Sequence, residues 1–215
     1  MADTVRDRLR LIRTQGIGPV TYRQLIARFG SATAAIEALP TLARRGGGQP
    51  PRLAEMSAVD REIAATQRLG ARYIFLGDPD YPALLAEIDN PPPALILRGD
   101  IALAHRPCVA IVGARNASAA ACRFARQLGH DLAAEGATVV SGLARGIDTA
   151  AHIGAGTATI GVIASGIDIA FPPENAELQE RLATDALLLA EQPPGTEPRA
   201  RHFPYRNRII AGLAT

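Results

Sequence analysis

The chain contains no lysine; all 23 of its basic residues are arginine, set against 21 acids. A net charge of only +2 neither argues for nucleic acid nor against it. Genome composition is one explanation of the bias. Its physical consequence is that every fixed cation carries the planar fork that pairs with phosphate. Cysteine is scarce too: Cys108 and Cys122 stand alone. They lack metal-ligand spacing and read as reduced packing residues, which excludes a disulfide framework and a thiolate metal site. No apolar run approaches the roughly 20 residues that span a bilayer. The opening MADTVRDRLRLIR has no apolar signal core, so the expected location is the cytoplasm. The 47% apolar and 20% charged content is that of an ordinary soluble globular chain. Its 215 residues suffice for one or two domains with a real core.

Residues 3–39 read as short helices, with Gly16-Ile17-Gly18-Pro19 as a turn and Gly30 as a stop. Helix, glycine turn and helix resemble a helix-hairpin-helix unit, in which the N–H groups at Gly16 and Gly18 approach a DNA phosphate. A plain αα-hairpin is the other reading. Residues 40–52, rich in Gly, Pro and Arg, read as a linker. A helix over 55–69 and strands at 72–76 and 94–98 follow. From Cys108 the pattern alternates, with strands near 108–113, 137–141, 158–164 and 187–190. Helices fall near 117–135, 146–154, 174–184 and 204–213. That alternation predicts an α/β fold whose mostly parallel sheet has helices on both faces.

Chemistry gathers where strands end. Gly113-Ala114-Arg115 follows the first central strand, the place where open α/β sheets bind ligands, and feeds a helix whose N-terminus favours an anion. The turn is not G-x-G-x-x-G and no acid stands ready for a ribose, so neither a dinucleotide nor any other cofactor is expected. Ser141-Gly142-Leu143-Ala144-Arg145-Gly146-Ile147-Asp148 is a second such edge. Asp148 and His152, four apart, share one helix face. Together they read as an acid–base pair, or Asp148 caps backbone N–H groups while His152 packs. Ser165-Gly166-Ile167-Asp168 ends the third strand, ahead of Phe171-Pro172-Pro173-Glu174-Asn175. The last edge carries Arg199, Arg201, Arg206 and Arg208 within ten residues with no acid among them. Phe203 and Tyr205 interleave with these cations. Alternating aromatic and cationic side chains suit single-stranded nucleic acid, where bases stack and phosphates find charge. Alternatively, Phe203 packs under the sheet edge.

Taken in series, these motifs resemble the DNA-processing protein A (DprA/Smf) family. They are I-V-G-A-R (111–115), S-G-L-A-R-G-I-D-T-A-A-H (141–152), S-G-I-D-x-x-F-P-P-E-N (165–175) and F-P-Y-R-N-R-I-I-A-G-L (203–213). The resemblance implies an extended Rossmann-like domain over 70–215, preceded by a helix-hairpin-helix/SAM-like all-α domain over 1–69. It implies a protein without catalytic residues that binds and protects single-stranded DNA during natural transformation. It further implies loading of the RecA recombinase and homodimerisation through the Rossmann-like domain. The family's DNA pocket falls on Arg115, Ser141, Gly142, Arg145, Gly166, Phe203, Arg206, Asn207 and Arg208; the helix-hairpin-helix reading of the N-terminal turn adds Gly16 and Gly18 as a second contact. The chain is expected to be truncated at its C-terminal side, leaving Ile209, Ile210 and Leu213 as an exposed apolar stripe. A rival reading is a nucleotide or nucleoside-phosphate hydrolase of the lysine-decarboxylase-like group. Gly154-Ala155-Gly156-Thr157 departs from that group's glycine-rich segment.

Overall fold

Strands that are apolar along their whole length need cover on both faces. The computed structural model supplies it and describes residues 3–45 and 47–215. Helices α1 (Val5–Arg13), α2 (Pro19–Phe29), α3 (Ala32–Arg45) and α4 (Met56–Arg68) come first. Strand β1 (Arg72–Phe75), a short α5 (Ala83–Ala86) and β2 (Ala94–Gly99) lead to β3 (Cys108–Ala110), α6 (Ala119–Ala134) and β4 (Thr138–Ser141). The chain continues through α7 (Ile147–Ala155), β5 (Thr159–Gly166), α8 (Ala176–Asp185), β6 (Leu187–Gln192) and α9 (His202–Leu213).

Among the described residues six strands form one sheet in the order β1-β2-β6-β5-β4-β3. Strands β3, β4, β5 and β6 run parallel, while β2 pairs antiparallel with both β1 and β6. The Gly113-Ala114-Arg115 turn therefore follows an edge strand of the described sheet, not a central one. Consecutive Val139 and Val140 point to opposite faces. Val139 packs with Ala151 and Ala155 of α7, and Val140 shares a cluster with Ile209 and Ile210 of α9. Helices α7 and α9 thus cover opposite faces. The stripe expected to be exposed on α9 is buried: Ile209, Ile210 and Leu213 lie under 5% exposed because α9 crosses the sheet and packs on α5.

In the helical portion, Gly30 ends α2 in the left-handed conformation at φ 77°, where its N–H reaches the Ile26 carbonyl. Helix α3 runs through Pro40 to Arg45, which places helix where the linker over 40–52 was expected to begin; Gly46 of that linker lies outside the described residues. An interior proline costs about 3 kcal/mol. Leu39, buried among Leu11, Tyr22 and Leu25, returns about 1.5–3 kcal/mol, and the partly buried Leu42 adds to it and carries the helix onward. Leu9 and Val59 join Phe75 and Ala94 in one cluster, so the helices rest on the β1–β2 edge. Among the described residues no helix is long and apolar enough to cross a membrane.

Ile209 is fully buried between α9 and the sheet. Ile209→Ala is expected to lower the unfolding free energy by about 2–5 kcal/mol, read from the urea denaturation midpoint. An unchanged midpoint would remove α9 from the core.

Candidate nucleic-acid interface

Strand β4 ends at a glycine whose two flanking peptide groups are both held. The Gly142 N–H donates to Asp148 Oδ2 at 3.1 Å, and the Gly142 carbonyl accepts from Arg206 Nη1 at 2.8 Å. Arg206 also donates to the Val162 carbonyl, which ties α9 to the end of β4 and the middle of β5. A Cβ at position 142 would stand 2.6 Å from Arg206 Nη2, so only glycine lets the guanidinium lie against this residue. Leu143, fully buried, takes φ 55°, a conformation that costs a side-chain-bearing residue energy. Asn175 Nδ2 fixes its carbonyl at 2.9 Å.

Asp148 collects more than one amide. Gly113 N–H donates to its Oδ1 at 3.3 Å and Ala144 N–H to its Oδ2 at 3.4 Å. These N–H groups, from the ends of β3 and β4, are the ones an open α/β sheet offers to a nucleotide phosphate. Here the protein's own carboxylate fills the nest. His152 is not its partner. Thr159 Oγ1 gives its hydrogen to the Val139 carbonyl at 2.8 Å, so His152 Nδ1 donates to Thr159 at 2.7 Å. The acid–base reading of the pair fails, and Asp148 is a capping carboxylate beside a packed histidine.

In front of this clamp lies an open groove. Arg115 places its guanidinium 5.3 Å from the centre of the Phe203 ring. Phe171 leans on Phe203 with ring centres 5.5 Å apart at 52°. Arg145 pairs with Glu174 across the rim, with side chains 61% and 50% exposed. So wet an ion pair is worth little and exchanges readily for a phosphate. Arg115, Gly142, Arg145, Phe171, Phe203 and Arg206 line one cleft of about 140 Å³. A second, of about 360 Å³, shares Arg115, Phe203 and Arg206 and adds Asn207. Arg206 is buried at the base of both, and burial lowers its pKa to about 10; Asp148 opposes the shift and the like charge of Arg115 adds to it.

The family model described as DNA recombination-mediator protein A matches residues 72–215. The chain belongs to this family. A DprA-like N-terminal HHH domain model matches residues 2–65. Protein Smf of Synechocystis is 36% identical over 94% of this chain and 54% of its own length. DNA processing protein DprA of Bacillus subtilis is 40% identical over 72% of this chain and 53% of its own length. The chain thus spans about half the length of the curated relatives it matches. The structure of DNA processing protein A from Streptococcus pneumoniae superposes with a TM-score of 0.79 at 27% identity, over 99% of this chain and 76% of that one. That of Helicobacter pylori, described for its single-stranded DNA binding mode, gives 0.61 at 31% identity over 66% of each chain.

Within this family frame the expected site residues divide. Arg115, Gly142, Arg145, Phe203, Arg206 and Asn207 converge on the two clefts. Ser141 does not: it is fully buried and donates to the Ile111 carbonyl at 2.6 Å. Gly166 is closed off by Pro193, Asp168 and Gly195, and its N–H donates to the Thr196 carbonyl at 2.8 Å. Arg208 turns away to Glu191, 2.6 Å from Oε1, and lies 4.1 Å from the centre of the Tyr205 ring. Gly16 and Gly18 are exposed on the helical hairpin and line neither cleft. Phe171 is the residue the motifs named without assigning; its signal was an aromatic ahead of Pro172-Pro173, where the chain leaves a strand end.

Burial, with the charge of Arg206 adding to it, pushes His152 down to about 3. In the unfolded chain a histidine titrates near 6.5, so between these values the unfolded state binds the extra proton. The stability tied to neutral His152 is complete above about pH 6.5 and is lost as pH falls toward 3. The urea midpoint of the wild type is expected to drop from pH 7 to pH 4 more steeply than that of His152→Gln. Parallel pH profiles would contradict this assignment.

Proposed function

We propose that the chain binds single-stranded DNA in the groove at the ends of β3, β4 and β5, without performing chemistry on it. The observation that carries this reading is an aromatic pair, Phe171 and Phe203, set between two solvent-facing guanidiniums, Arg115 and Arg145. Bases stack on the rings, and phosphates take the place of Glu174 at Arg145 and bridge to Arg115. Arg206 and Gly142 form the floor rather than the grip. Asp148 supports the reading from beneath: with the strand-end amides already saturated, a mononucleotide phosphate has no nest to enter. The Helicobacter pylori relative, described for its single-stranded DNA binding mode, supports it by likeness. On this reading the Gly16–Pro19 turn is a second phosphate contact. The protein protects incoming single strands in natural transformation, hands them to the RecA recombinase and works as a homodimer.

Fluorescence anisotropy with oligothymidylate tests the groove. Arg115→Ala with Arg145→Ala should weaken binding for every sequence and reduce the slope of log K against log salt by about 0.7 for each phosphate no longer neutralised. Phe203→Ala should cost about 1–3 kcal/mol for the base it stacks. Unchanged affinity in the double arginine variant at physiological salt would place the DNA elsewhere.

A further inference from the structure

The groove does not end at Arg145. Gly146 abuts the Ala114 and Arg115 carbonyls, and beyond it a cleft of about 350 Å³ opens between α6 and α7. This runs on into another of about 460 Å³ that shares Arg123, Arg126 and Ile153 with it and adds His130. Small residues make the seam. Gly129 lies against the Ala151 carbonyl and Gly154 against that of Arg126, so the helices approach closely and leave a shallow channel above them. No acid lines either cleft among the described residues. Asp131, the acid on that stretch of α6, is held by Gln127 at 2.8 Å.

Arg123 and Arg126 are exposed, and neither makes an ion pair among the described residues. Arg6, Arg13, Arg72 and Arg98 each face a carboxylate; Arg123 and Arg126 share the unpaired state with other arginines and differ from them in lining this channel. A line of unneutralised guanidiniums over an apolar channel attracts a polyanion whose backbone follows the channel. We infer that the α6–α7 seam is a second stretch of the single-stranded DNA track, in which Arg123 and Arg126 neutralise phosphates of the strand leaving the Arg115–Arg145 groove. The inference rests on the groove being the DNA site. It assigns to the seam a role in strand length rather than in base stacking.

Two lengths of oligothymidylate separate the two claims. One, of about 6 nucleotides, fills the groove alone; one of about 20 exceeds the roughly 4–16 nucleotides of a compact single-strand site and reaches the seam. Arg123→Ala with Arg126→Ala should lower affinity for the long strand about tenfold and its salt slope by about 1.4, or about 0.7 for each of two phosphates. The short strand should bind as before, and lysine at both positions should restore most of the affinity. If the seam variant binds the long strand normally while Arg115→Ala with Arg145→Ala weakens both lengths, the seam is wrong and the groove stands. Equal weakening of both lengths by the seam variant also overturns the inference. If the groove variant binds both lengths as the wild type does, the groove reading falls and the seam with it.

Discussion

One residue, Gly142, holds the site together through the two peptide groups that flank its Cα. The Gly142 N–H is tied to a carboxylate on α7 and its carbonyl to a guanidinium on α9. Because both charges are buried, neither is cheap to leave unpaired, so the two helices cannot shift independently of β4. That fixes the Leu143 turn in its strained geometry and sets where Arg145 leaves the backbone. It also fixes the start of α9, and with it the Phe203 ring against which Arg115 lies. The arginine that belongs to the structure is thereby distinguished from those left free for a ligand.

The same clamp explains why a Rossmann-like sheet here presents a groove instead of a nucleotide pocket. In such folds the strand-end amides and a helix N-terminus receive phosphate. Asp148 occupies that position, and its charge is balanced within the protein by Arg206. In the proposed function, ligand recognition moves outward by one layer, onto side chains: two arginines and two phenylalanines. A polymer that contributes stacking faces and spaced phosphates suits that surface better than a single phosphate does.

Much of this was legible in residue order. The alternation of apolar runs and amphipathic segments placed the parallel strands and the helices between them, and the arginines after strand ends pointed to one rim. What pattern alone left open was which arginine faces solvent. Arg206 and Arg208 sit two apart on one helix in the same kind of sequence, yet one lies under the groove and the other is drawn to Glu191, whose carboxyl burial pushes upward. Spacing does not encode that choice; the carbonyls and carboxylate that the tertiary fold brings near decide it. The burial of the apolar stripe on α9 is hidden for the same reason, since α5 and the sheet that bury it are distant in sequence. The helix through Pro40 was hidden because local proline chemistry was outweighed by the packing of Leu39 and Leu42.

The central claim is that an unpaired strand lies on the Phe171–Phe203 pair above the clamped Gly142. Photocrosslinking of an iodouracil-substituted single strand, followed by mass-spectrometric mapping of the adducts, tests it directly. The account predicts adducts on Phe171 or Phe203 that excess unlabelled single strand abolishes and duplex does not. Adducts confined to Tyr205, to the α1–α4 helices or to the face opposite the groove would contradict it.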